Sequence, residues 1–296
     1  MRRDDNGEYI KTRGAKMKFK QYTDILEFEA DTLDDLLFNK YQNNKILRII
    51  TVLKQQPFNE QIRLAVVIQN SKNVLIGVQT LPHQMLFYFC KDTYNEDALK
   101  FYIDKIIELK WDLDKILGQE QTAGHFARFY AQKTGKQIKN DSNLIVYRLD
   151  KLCNDKMPAG EFRQFTLDDI NIIPYWRAAF FVECGLEPHG QSIEYQFQRT
   201  PSVPMLYLWE MDGRVVSMAN LTQISHDSAG LQGVYTPPHL RGKGYAFGLV
   251  WNLCNRYKDK YKDIMLYADK DYVQSNRLYK RIGFKPLFTN SQYTFE

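Results

Sequence analysis

The stretch "GVYTPPHLRGKGYAFGLV", Gly233–Val250, decides how this chain is read. It opens as a strand and runs into Pro237-Pro238, which have no N–H to give to a sheet ladder, so the strand must end and the chain turn outward. Arg241-Gly-Lys-Gly244 follows, and the apolar spacing beyond it predicts a helix over Arg241–Lys258. Gly242 and Gly244 take side chains away from the turn, which lets backbone N–H groups come close to a ligand. The helix start aims its unpaired N–H groups and the positive end of its dipole at the same place. Together these make an anion site suited to phosphate, with Arg241 and Lys243 adding charge. By itself the run also reads as a flexible basic loop. It is neither a G-x-x-x-x-G-K-[ST] loop nor a G-x-G-x-x-G fingerprint, whose third glycine is missing.

Working outward, "DIMLYAD" (263–269) predicts a strand, Val273–Ile282 a helix, and "FKPLF" and "SQYTFE" two closing strands. Upstream, "MLYLWE" and "VVSMANLTQI" flank Asp212-Gly213, a strong hairpin signal. Before them come a helical stretch near Ser192–Arg199 and "LDDINIIPYWRAAFFVE" (167–183), a helix that Thr166 can cap and that Pro174 must kink or split. "EFRQF" (161–165) reads as a strand. The polar segment at 151–160, with Pro158 and Gly160, predicts a linker. The first half alternates in the same way: strands "VLIGVQT" and "MLFYFC", a helix over Asp97–Trp111 with Leu99, Tyr102, Ile103, Ile106 and Ile107 on one face, a second helix within Gly118–Lys136, and a strand at Leu144–Leu149. The expected domains are therefore a polar leader at 1–17, an N-terminal domain at 18–150, the linker, and a C-terminal domain at 161–296. Met17 is a candidate alternative start.

With 44% hydrophobic and 25% charged residues, the 296-residue chain has ample material for a buried core. A net charge of +5 without a long basic block is too mild to argue for nucleic acid by itself, so no nucleic-acid partner is expected, and electrostatic nucleic-acid binding through Arg241 and Lys243 is a weaker rival reading. No apolar run approaches the roughly 20 residues that a membrane span needs. The four scattered cysteines carry no metal spacing, and neither do the five histidines, so no metal site is expected and free thiols in a reducing cytoplasm are.

Arg241-Gly-Lys-Gly244-Tyr-Ala246 fits the R/Q-x-x-G-x-G/A signature of the GNAT superfamily of N-acetyltransferases, placed between strand and helix. "SNRLYKRIGFKP" (275–286) resembles that family's second signature, a helix carrying Tyr and ending in Gly-Phe. The first half, through "VQTLPHQMLFYF" and "GQEQTAGHFARFYAQKTGK", resembles a bacterial two-domain subgroup of predicted acetyltransferases whose first domain has lost the phosphate signature. The resemblance implies an α/β fold of tandem GNAT-like domains, each a mixed twisted sheet flanked by helices, with central strands that splay in the C-terminal one. It implies acetyl-CoA as cosubstrate, with the Val234, Tyr235 and Thr236 backbones facing pantetheine and Arg241, Gly242, Lys243, Gly244, Tyr245 and Ala246 holding pyrophosphate. Ser275 and Asn276 are further polar candidates. An N–H near Val234 or Tyr235 would serve the oxyanion. Tyr279 matches the position that protonates the departing thiolate, although a phenol near pKa 10 is a weaker acid than a thiol near 8.5, so hydrogen bonding outweighs full transfer. Glu183, at a place where the subgroup also carries an acid, is the candidate base, with Glu210 second. Each of these also reads plainly: Tyr279 as a core aromatic, the carboxylates as surface charges. Tyr272 stands where the family usually has Asn, and His239 lies in the loop before the turn. The implied reaction is direct transfer to a primary amine of a small molecule or peptide. The rival is a catalytically silent acyl-CoA sensor or interaction protein. For the first domain, a scaffold, a cleft wall and a homodimer contact are all open.

Overall fold

The computed structural model describes residues 16–185, 205–224 and 227–296. Residues 1–15 of the expected leader and the helix expected at Ser192–Arg199 lie outside the described residues. The chain divides into two units, Met1–Asp141 with Ser291–Glu296, and Ser142–Asn290.

The first unit runs β1 (Met17–Tyr22), α1 (Ile25–Phe38), α2 (Asn44–Leu53), β2 (Ile62–Gln69), β3 (Lys72–Thr80), β4 (Met85–Phe89), α3 (Glu96–Glu108), β5 (Lys115–Gln119) and α4 (Glu120–Thr134). Strands β1 to β4 pair antiparallel in succession, and β4 lies parallel to β5. Alternate residues serve opposite faces, as strand geometry requires. Leu64, Val66, Ile76, Val78, Leu86 and Tyr88 pack with α1 and α2. Ala65, Val67, Leu75, Met85, Phe87 and Phe89 pack with α3 and α4. Both faces are covered, which is why these strands read as continuous apolar runs. On α3 the predicted stripe of Leu99, Tyr102, Ile103 and Ile106 is buried.

The second unit contains β7 (Glu161–Gln164), α5 (Ile173–Glu183), β8 (Met205–Met211), β9 (Arg214–Gln223), β10 (Ser228–Tyr235), α6 (Tyr245–Tyr257), β11 (Asp263–Asp269) and α7 (Val273–Ile282). Here β10 and β11 form the parallel pair and the other neighbours run antiparallel. The β8–β9 hairpin turns on Asp212 and Gly213, both with positive φ, as predicted. Pro174 splits the predicted helix: a short 3-10 turn, Leu167–Asn171, comes first, and α5 then starts with the proline in its first turn, where a missing N–H costs nothing.

Two strands serve both units. β6 (Ile138–Leu149) begins in the first and pairs through Leu144–Arg148 with β11 in the second. β12 (Phe284–Phe295) begins in the second, and its last residues belong to the first. The two closing strands expected from sequence are thus one continuous strand, with Asn290 and Ser291 buried within it. At the C-terminus the Phe295 N–H donates to the Asp114 carbonyl at 2.8 Å, and the Phe295 ring lies 4.7 Å from that of Tyr130. The division between units falls at Asp141/Ser142 and not at 151–160. That segment packs onto the second core through Leu152, Cys153 and Met157, and its Cys153 and Ala159 carbonyls accept hydrogen bonds from the indoles of Trp251 and Trp209.

Arg163 ties β7 to its neighbours. It donates to both Asp169 oxygens at 2.8 Å and to Glu210 at 2.5 Å. Burial alone would raise the Asp169 carboxyl, but Arg163 and the Thr166 N–H outweigh it and hold Asp169 below the usual carboxylate range. A carboxyl depressed in the folded state adds stability above its unfolded pKa of about 3.9, and that stability is lost as pH falls through the folded value. Asp169→Asn is therefore expected to lower the unfolding midpoint at pH 7 and to flatten the fall in stability below about pH 4, read by urea titration across pH.

Candidate active site

The site lies where β10 and β11 part. Their parallel pairing runs only from Ser228↔Asp263 to Leu231↔Leu266. Beyond it, β10 bulges against β9 between Gln232 and Tyr235, with Gly233 at φ 58°, while Tyr267–Asp269 of β11 stay with β6. The edge of Val234 and Tyr235 that faces β11 is left without a ladder partner among the described residues.

The chain then turns at Pro237-Pro238. Gly242 and Gly244 have φ of 80° and 83°, the left-handed region that side chains disfavour. For that reason α6 starts at Tyr245, four residues later than the sequence suggested, with Gly244 as its cap. The first bond onto this turn is Gly248 N–H to the Gly244 carbonyl at 3.0 Å. Among the described residues, nothing accepts the N–H groups of residues 242–247. A run of backbone donors at a helix start, with two left-handed residues, fits a phosphate group. The corresponding turn of the first unit, after β4, does not. There the Asn95 side chain accepts from the Ala98 N–H at 2.9 Å, and Glu96 and Asp97 occupy the first turn of α3, where they repel an anion.

The remaining residues singled out from sequence fall around this opening. Val234 is half-buried against the core and Tyr235 is buried. The Thr236 hydroxyl lies 2.9 Å from that of Ser217, which donates to the Tyr235 carbonyl at 3.0 Å. Ser217, a β9 residue to which the sequence reading gives no role, thereby fixes the strand end. Arg241 and Glu183, assigned from sequence to opposite substrates, are bound to each other at 2.6 Å. Glu210 belongs to the Arg163 cluster. His239 is exposed.

Tyr279 is buried on α7, with its ring between those of Tyr147 and Phe284 at 6.3 Å and 6.0 Å. Burial pushes its phenol well above the usual range, and the Cys184 and Cys254 thiols add to this. Cys184, next to Glu183 at the end of α5, is a site neighbour that the sequence did not point out. Asn276 differs from its expected role. Its amide donates to the Asp269 and Tyr272 carbonyls at 2.7 Å and 2.9 Å, and its oxygen accepts from the Tyr147 hydroxyl at 2.9 Å. It clamps the β11–α7 connection, and these bonds occupy the groups a coenzyme would need. Ser275 bonds its own helix start through the Tyr272 carbonyl. Tyr272 is half-exposed and contributes to the field on Arg241.

Residues 171–284, from the turn before α5 to the start of β12, match the model of the Acetyltransferase (GNAT) family. This segment is a GNAT acetyltransferase domain. Solved structures share the fold over nearly the whole chain. A GCN5-related N-acetyltransferase from Sphaerobacter thermophilus is 14% identical with a TM-score of 0.65, over 93% of this chain and 94% of its own. A GNAT-family acetyltransferase from Colwellia psychrerythraea is 13% identical with a TM-score of 0.58, over 94% and 100%. A tandem GNAT protein from the clavulanic acid biosynthesis pathway is 12% identical with a TM-score of 0.59, over 94% and 98%. No curated protein matches the chain in sequence. The fold is a tandem GNAT arrangement, and the matched segment is similar to a family whose chemistry is acyl transfer. Among the described residues, no helix is long and apolar enough to cross a membrane.

Proposed function

We propose that this chain is an acetyl-CoA-dependent N-acetyltransferase that acts on a primary amine. The observation that carries this reading is the run of N–H groups at residues 242–247, without an acceptor among the described residues, set beside the edge of β10 that those residues leave open. The turn would take the pyrophosphate and the Val234–Thr236 backbone the pantetheine arm, the part of the coenzyme that carries amides to pair. Bound there, the coenzyme supplies an activated thioester. Tyr279 would act on its sulfur as a hydrogen-bond donor. With its phenol raised by burial, full proton loss costs more than the roughly 2 kcal/mol that separates a free phenol from a free thiol.

Calorimetry with acetyl-CoA tests the first half of this reading. A Cβ on Gly244 would lie 3.6 Å from Pro158, an ordinary contact, so Gly244→Val acts through the backbone. A left-handed residue with a side chain costs ~1–2 kcal/mol, and a β-branched one is a genuine outlier. The turn should relax, and affinity fall by about tenfold or more. The second half is tested by screening an amine library for thiol release. Tyr279→Phe should lower turnover by about 10- to 100-fold, the worth of a hydrogen bond to a charged group, with coenzyme affinity nearly intact. Equal turnover would show that water supplies the proton. Coenzyme binding without thiol release from any amine would indicate an acyl-CoA sensor instead.

A further inference from the structure

Arg241 reaches back to the strand end and α5. Its Nε donates to the Thr236 carbonyl at 2.8 Å, and its Nη2 donates to the Glu183 oxygens at 2.9 Å and 2.6 Å. Its guanidinium carbon is 5.8 Å from the centre of the Tyr235 ring, and the Tyr235 hydroxyl donates to the same carboxylate at 3.5 Å. Through Ser217, which holds both the Tyr235 carbonyl and the Thr236 hydroxyl, these contacts join the last residue of α5, the end of β10 and the first residue of the turn. The pair cancels its own charge. Among the described residues, Lys243 is then the turn's one cation without a carboxylate partner.

Resting on the acyltransferase reading above, we propose that Arg241 is a positioning residue. Through Glu183 it fixes the end of α5 to the strand end and turn that would receive the coenzyme, so that α5 would border the incoming amine, while phosphate charge falls to Lys243 and the backbone N–H groups. A guanidinium suits this task because its planar fork serves a carbonyl and a carboxylate at once, which an ammonium cannot do in the same geometry. Glu183 is thereby a partner of Arg241 and not the base that the sequence suggested.

Calorimetry on the full chain with acetyl-CoA, over a range of salt, separates the roles. Arg241→Gln, Glu183→Gln and the double variant should each bind within about threefold of the parent, the scale of an exposed ion pair. Lys243→Ala should weaken binding by about tenfold and reduce its salt dependence. Amide exchange over residues 173–185 should speed up by about fivefold in either single variant, with no further change in the double. With the amine that the screen returns, Arg241→Gln should raise KM for the amine and leave KM for acetyl-CoA unchanged, and Arg241→Lys should not restore it. Loss of acetyl-CoA affinity beyond about tenfold in Arg241→Gln, or rescue of that loss by Arg241→Lys, makes Arg241 a phosphate ligand and overturns the proposal. Unchanged exchange at α5 overturns it as well. Failure of the parent chain to bind acetyl-CoA is a different result, and it overturns the acyltransferase reading itself.

Discussion

Gly283→Ala is expected to destabilise the second unit severely. A Cβ at this position would lie 1.8 Å from the Lys151 carbonyl oxygen and 2.8 Å from its carbon, both backbone atoms with little room to give. The chain at 150–153 is held there by bonds of its own: the Asp150 N–H donates to the Gly283 carbonyl at 3.1 Å, and the Cys153 N–H to the Ile282 carbonyl at 2.9 Å. Gly283 also sits at φ 118°, closing α7 in a conformation that a side chain disfavours. Overpacking costs ~1–3 kcal/mol. The backbone strain adds ~1–3 kcal/mol. For a unit of this size, each kcal/mol lowers Tm by about 2–4 °C, so a fall of about 5 °C or more is expected by differential scanning calorimetry. Because Tyr279 lies four residues upstream on the same helix, thiol release should fall further than the unfolded fraction accounts for. A variant as stable as the parent would mean that the 150–153 segment does not cross α7 at this glycine.

Removal of Ser291–Glu296 should loosen the first unit and leave the second protected. The deletion takes away Phe295, which is buried among Tyr130 and its neighbours, and the paired N–H···O bonds between Gln137 and Glu296 at 2.8 Å and 3.1 Å. Truncating a buried Phe to Ala costs ~3–5 kcal/mol on its own, a large share of a domain's stability. Hydrogen exchange resolved by peptide is the measurement: β4, β5 and α4 should lose protection, with β9, β10 and α6 unchanged. Phe295→Ala should give an intermediate loss in the same peptides. Loss of protection in the second unit alone would place the terminal residues there, as the sequence reading did.

What the sequence made legible was local. A strand ended by prolines, two glycines and a helix are set by neighbours in the chain, and the helix at Val273–Ile282 falls where its spacing put it. The extent of the turn was less legible, because only the left-handed φ values reveal that residues 241–244 precede the helix. The partnerships were hidden. Arg241 meets Glu183 across 58 residues, and Tyr147 meets Asn276 across 129. No periodicity records such contacts. The same distance explains why the sequence predicts a linker at 151–160. A polar run with proline and glycine looks like a boundary, but Leu152, Cys153 and Met157 bind it to one core, whereas the actual division lies inside a strand that reads as uninterrupted.

The shared strand β12 has a consequence for how the protein is made. The first unit takes its closing residues from Ser291–Glu296, which leave the ribosome only after the whole of Ser142–Asn290. At ~5–20 residues per second, about 8–30 s pass between the emergence of β6 and that of its counterpart at the C-terminus. Throughout that interval β5, which lies between β4 and β12 in the finished sheet, has one edge open, and an open edge invites pairing with other chains. Translation thus orders folding: the unit synthesised first is completed only after the second has been made. A gene cut at residue 150 would yield two fragments, neither able to finish its own sheet, so complementation between them would have to trade strands across molecules.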